Sequence, residues 1–84
     1  MPNYINVYGK KDSFYKNGIL VDSYGEPITG IRRVTYSGTN IIRDETPFIN
    51  GAKDGIQRVY DNKGKLWWEN TWKKNTMVDA KMFD

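Results

Sequence analysis

Asn50-Gly51-Ala52-Lys53-Asp54-Gly55-Ile56-Gln57-Arg58-Val59-Tyr60-Asp61-Asn62-Lys63-Gly64-Lys65-Leu66-Trp67-Trp68-Glu69 alternates turns with strands. Turn signals stand at Asn50-Gly51 and Asn62-Lys63-Gly64, where Asn and Gly accept positive φ at low cost. Between and after them, Ile56–Tyr60 and Lys65–Trp72 are rich in β-branched and aromatic residues and read as strands. The same unit occurs earlier. Gly30-Ile31-Arg32-Arg33-Val34-Thr35 aligns with Gly55-Ile56-Gln57-Arg58-Val59-Tyr60 at an offset of 25 residues. A Gly-bearing turn precedes each, Gly25-Glu26-Pro27-Ile28-Thr29 and Gly51-Ala52-Lys53-Asp54. A second match links Tyr15-Lys16-Asn17-Gly18-Ile19-Leu20 to Tyr60-Asp61-Asn62-Lys63-Gly64-Lys65-Leu66. The chain thus holds roughly two and a half copies of one unit over residues 15–76. Ile31–Tyr36 and Asn40–Arg43 read as further strands, and 77–84 as a short strand or tail. A strand, a tight turn and a strand make a hairpin, and repeated hairpins make an antiparallel meander.

The unit resembles the MORN-repeat variant family. That family repeats a turn Gly, a strand ending in aromatics, an Asn-Gly turn, a Lys-Leu pair and a Glu on the return strand. Here these are Gly51 or Gly55, Tyr60, Asn62 with Gly64, Lys65-Leu66 and Glu69. The chain departs from the pattern at Asp61, at Thr35 and at the inserted Lys63. The resemblance implies a fold: an all-β antiparallel meander of MORN-like β-hairpin repeats, largely a single-layer sheet. One domain over 1–84 with about five to seven short strands is the expectation. The family is common among bacterial proteins labelled antitoxin-like. It therefore implies a protein partner, a toxin or effector that the chain neutralises.

Composition agrees with a small sheet protein. Hydrophobic residues are 38% and charged residues 27%, too apolar for a disordered tail and too polar for a membrane span. Ile occurs eight times and Val five, against two Leu and two Ala. Aromatics reach 14%. β-Branched and aromatic side chains lose rotamer freedom in helices and pack well on pleated surfaces. The chain has no Cys and no His, which excludes disulfides, Cys/His metal sites, thiol nucleophiles and Ser-His-Asp triads. No cofactor, no metal and no enzymatic activity are expected. Asp44-Glu45 is the one adjacent carboxylate pair, and it reads as a solvated strand end before Thr46-Pro47. Lys10, Lys11 and Asp12 interrupt any apolar leader, so the location expected is cytoplasmic.

Trp67-Trp68-Glu69-Asn70-Thr71-Trp72-Lys73-Lys74 is the most distinctive segment. Strand alternation puts Trp68, Asn70 and Trp72 on one face and Trp67 with Glu69 on the other. Adjacent Trp residues cannot both enter a one-sided core, so one of Trp67 and Trp68 belongs to a second packed surface or an interface. Trp67, Trp68, Trp72, Tyr36 and Tyr60 are the candidate partner-binding residues, with Arg33 and Arg58 in support, because Trp, Tyr and Arg are enriched among interface hot spots. The plainer role of the same aromatics is cross-strand packing.

A competing reading is single-stranded nucleic-acid or anionic-lipid binding. Lys63, Lys65, Lys73 and Lys74 flank the Trp cluster, and net charge is +3. Asp54, Asp61, Glu69 and Asp79 break up the basic runs. Finally, a one-layer sheet from 84 residues cannot cover both of its faces, which implies a homodimer or a covering partner.

Overall fold

A computed structural model describes residues 3–6, as backbone, and 13–83. Gly9 and Lys10, Lys11 and Asp12 lie outside the described residues. The described strands are β1 (Asn3–Asn6), β2 (Ser13–Lys16), β3 (Ile19–Asp22), β4 (Gly30–Thr35), β5 (Ile42–Ile49), β6 (Ala52–Lys53), β7 (Gly55–Tyr60), β8 (Leu66–Lys73) and β9 (Thr76–Met82). No helix occurs among the described residues, and none there is long and apolar enough to cross a membrane. The fold is all-β.

The main sheet runs β1-β4-β5-β7-β8-β9, with β6 beside β5. From β4 onward the sheet is antiparallel and follows chain order as a meander of hairpins. β1 is the exception and joins β4 in parallel. β2 and β3 form a separate hairpin. The strand count exceeds the five to seven expected, partly because the turn Asn50-Gly51 carries the short β6 and partly because the last stretch forms the full strand β9.

Three two-residue turns close hairpins with both residues at positive φ: Asn17 (54°) and Gly18 (79°), Asn50 (50°) and Gly51 (82°), and Lys74 (47°) and Asn75 (69°). This backbone twist matches the right-handed twist of the flanking strands. Longer turns use aspartate. Asp22 Oδ1 accepts the N–H groups of Tyr24 and Glu26, and Asp61 Oδ1 those of Lys63 and Lys65, all at 2.9 Å. In both loops a Gly three residues on, Gly25 or Gly64, donates back to the aspartate carbonyl. The Asp61 carboxyl is consequently held below its ordinary range, by the Lys65 and Lys63 amides.

The expected strand Asn40–Arg43 is displaced and lengthened: β5 starts at Ile42 and continues through Pro47 to Ile49. Proline is tolerated there because its carbonyl accepts the Asp54 N–H. Its backbone polar groups therefore point away from β4, and the missing N–H removes no bond of the β4–β5 ladder. Asp44 and Glu45 accordingly stand mid-strand and half-buried, not at a solvated end. They sit opposite Val34 and Arg33, on opposite faces of the sheet.

Both long hairpins slip register after the valine of Gly-Ile-x-Arg-Val. Val34 pairs with Asp44 but Thr35 with Ile42, and Val59 pairs with Trp68 but Tyr60 with Leu66. Arg43 and Trp67 are therefore the extra, bulged residues of their strands.

Packing is concentrated at one end of the sheet. Leu20 and Phe48, each 1% exposed, form the core with Ile28. The β2–β3 hairpin lies over this end, with Tyr15 tilted against Phe48 at 6.5 Å between ring centroids. Backbone bonds stitch it in place. Leu20 N–H donates to Gly51, Gly51 to Ile28 and Ile28 to Leu20. Asn75 adds a clamp: its Oδ1 accepts the Lys53 N–H at 2.8 Å and its Nδ2 donates to the Gly18 carbonyl at 3.2 Å. The opposite end, where the loops Tyr36–Ile41 and Asp61–Lys65 reverse the chain, has no comparable cluster of buried apolar side chains among the described residues.

Candidate functional site

One face of the sheet carries a row of charges set by register. Arg33 lies opposite Glu45, Glu45 opposite Arg58, Arg58 opposite Glu69 and Glu69 opposite Lys81. Sign alternates at each step across five strands. Arg33 Nε donates to Glu45 Oε2 at 2.6 Å, and Arg58 Nε to Glu69 Oε2 at 3.2 Å. Opposite charges directly across strands stabilise by about 0.2–1 kcal/mol per pair. The candidate residues Arg33 and Arg58 are thus engaged within the sheet.

Tyr36 and Tyr60 belong to the same network. The Tyr36 hydroxyl donates to the Tyr60 carbonyl at 2.6 Å, and the Tyr60 hydroxyl to Glu45 Oε1 at 3.0 Å. Burial, then the Glu45 hydrogen bond and charge, pushes the Tyr60 phenol above its ordinary pKa. A raised folded-state value stabilises the fold fully below the unfolded pKa of about 10 and is lost as pH rises through the folded value. Tyr60→Phe is therefore expected to cost about 0.5–1.5 kcal/mol at neutral pH. The gap between the two proteins should shrink on the alkaline side. Urea unfolding at neutral and strongly alkaline pH checks this, and a gap independent of pH would refute it.

The three tryptophans separate by environment. Trp72 and Trp68 lie opposite Gly55 and Val59, on the same face, and both are half-buried. Trp72 is anchored: its Nε1 donates to Gln57 Oε1 at 2.8 Å, and the Lys53 ammonium stands 4.3 Å from its ring centroid. Trp67 is the bulged residue. It is 47% exposed and touches Trp68 at a ring-centroid distance of 6.2 Å. Its carbonyl receives the Phe83 N–H, which brings Phe83 alongside it.

Trp67 lines a cleft of about 370 Å³ with Leu66, Met82, Phe83, Asp61 and Lys65. A second cleft of about 390 Å³, lined by Asn40, Ile41, Ile42, Tyr60 and Gly64, flanks the other side of the Asp61–Lys65 loop. Both belong to the loosely packed end. The first offers an apolar, aromatic wall with one carboxylate and one ammonium at its edge. That surface suits an apolar side chain of a partner better than a reacting group. Leu66, Met82 and Phe83 are not among the candidates that the sequence suggests, because their meeting with Trp67 depends on the β8–β9 register.

The lysines of the nucleic-acid reading are not brought together. Lys63 and Lys65 precede β8 at one end, whereas Lys73 is its last residue and Lys74 follows it at the other. Seven residues of strand lie between Lys65 and Lys73 and separate the two pairs by roughly 25 Å.

No family model matches the chain, and no curated protein or solved structure matches it.

Proposed function

We propose that this chain is a non-catalytic protein-binding module, acting in the cytosol, that holds its partner at the loosely packed end of the sheet. The observation carrying this reading is Trp67. Trp72 is anchored to Gln57 and Lys53 and Trp68 is half-buried on the same face, whereas Trp67 is half exposed over an apolar cleft. A partly exposed Trp beside Leu66, Met82 and Phe83 has the composition of an interface hot spot. The resemblance to antitoxin-like MORN-variant proteins gives the class of partner: a toxin or effector that the bound chain inhibits. Absence of His and Cys, and the placing of Asp44 and Glu45 on opposite faces, support a role without catalysis.

The test is capture of partners from the native host on immobilised wild-type and Trp67→Ala chains. Trp67→Ala is expected to keep its melting temperature within a few degrees and to lose the main captured protein. Capture that survives Trp67→Ala but falls steeply with salt would move the reading to single-stranded nucleic acid, where phosphate neutralisation sets the salt slope.

A further inference from the structure

β9 is the last strand of the main sheet, and its outer edge pairs with no strand among the described residues. All seven of its residues are exposed, including Val78 at 55% and Met82 at 59%. Open edges are normally blunted by bulges, proline or charge. β9 has a register irregularity only in its first half, opposite Thr71 and Trp72, which leaves Asp79–Met82 regular against β8.

Backbone direction in the regular part follows from one bond. Phe83 N–H donates to Trp67, so Phe83 faces β8. In an antiparallel ladder alternate residues face each side, so Lys81 and Asp79 also face β8. The N–H and C=O groups of Ala80 and Met82 then point outward.

The sequence around Ala80 is complementary to itself when reversed. Val78-Asp79-Ala80-Lys81-Met82 read backward sets Asp79 against Lys81 and Val78 against Met82. We infer that a second copy of this chain adds to β9 as an antiparallel strand, with Ala80 opposite Ala80. This register makes two Asp79–Lys81 pairs and exchanges the outward backbone groups of Ala80, while Val78, the bulged residue of β9, lies just outside the regular stretch. Centring the pairing on Asp79 or on Lys81 instead sets like charges face to face, which is destabilising. The register also continues the charged row. Arg33, Glu45, Arg58, Glu69 and Lys81 alternate in sign, and Asp79 of the second copy takes the next place. Two six-membered strand paths would thereby join into one continuous sheet across a twofold axis.

Sedimentation equilibrium of the full chain over a wide concentration range tests the pairing. Wild type is expected to form a concentration-dependent dimer. Asp79→Lys and Lys81→Asp each turn two attractive pairs into two repulsive ones and should weaken the dimer about tenfold or more. An equimolar mixture of the two variants re-creates opposite charges in the mixed dimer and should restore association. Ala80→Pro removes an outward N–H, leaves the β8 ladder bonds in place, and should yield monomer with unchanged circular dichroism. A wild-type monomer at high micromolar concentration overturns the inference. So does a dimer that all three substitutions leave intact, or a mixture no tighter than its components. Trp67→Ala should leave the dimer unchanged, so this outcome is read separately from partner capture.

Discussion

Gly51→Ala is expected to destabilise the fold by more than about 3 kcal/mol, although it adds a single methyl group. Two costs act together. Gly51 has φ of +82°, where a Cβ is strained by about 1–2 kcal/mol. Its added methyl would also overlap Ile19 Cγ2 and stand 2.8 Å from the Leu20 carbonyl oxygen. That oxygen is held where it is, since it accepts the Ile28 N–H. The neighbour is backbone, so the β2–β3 hairpin must lift from the sheet to make room. Gly18 supplies the comparison. It has a similar φ of +79°, but a methyl group added there would stand in open space. Gly18→Ala should therefore cost only the strain, about 1–2 kcal/mol. Chemical denaturation of both variants measures the difference, and equal losses would refute the close-packing account of Gly51.

Phe48→Ala is expected to cost about 3–5 kcal/mol. Phe48 is 1% exposed, and it holds Leu20, Ile28 and Tyr15 where, among the described residues, a second layer covers the sheet. Removing the ring leaves a cavity that the stitched hairpin cannot collapse into. Domains of this length have total stabilities of only ~4–13 kcal/mol, so the loss is a large fraction. For a domain of this size it corresponds to a fall in melting temperature of roughly 12–40 °C. Thermal unfolding followed by circular dichroism checks it, and a loss below about 1 kcal/mol, near the cost of a surface change, would show that the core lies elsewhere.

These two sites show what is legible in a sequence of this kind. Asn50-Gly51 is readable as a turn because both residues sit at positive φ, and few other pairs do so cheaply. That Gly51 also lets a second hairpin approach is not readable, since Ile19 and Leu20 reach it only in the folded chain. Lys74-Asn75 makes the same kind of turn without Gly, and Asn75 is the one residue of the sequence that marks it. Its support is tertiary, through the Asn75 side chain to Lys53 and Gly18. The aspartate loops are legible but fall in a different alignment. Asn and Gly align Tyr60–Leu66 with Tyr15–Leu20, whereas its hydrogen bonds reproduce those of Asp22–Glu26. Both of these loops carry Asp-x-x-Gly, which is the pattern that governs their shape.

The candidate site is legible in part. Alternation groups Trp68 with Trp72 on one face, as their register opposite Val59 and Gly55 shows. The bulge at Trp67 is not legible, since it arises from the pairing of Val59 with Trp68 and Tyr60 with Leu66. Tyr36, Tyr60, Arg33 and Arg58 are residue types favoured at interfaces, yet here they bind within the sheet. Their partners Glu45 and Glu69 are fixed by register, which no single strand encodes. The same limit hides Met82 and Phe83, which join Trp67 only because β9 folds back along β8.

The fold and the binding surface thus draw on different tryptophans. The most direct measurement compares Trp67→Ala with Trp72→Ala, recording melting temperature and captured partner for each on the same immobilised chains. Trp72→Ala should melt well below wild type, because it leaves Gln57 and Lys53 without their aromatic partner, while Trp67→Ala should melt with wild type and lose the partner. Full partner capture by a folded Trp67→Ala chain would contradict the account.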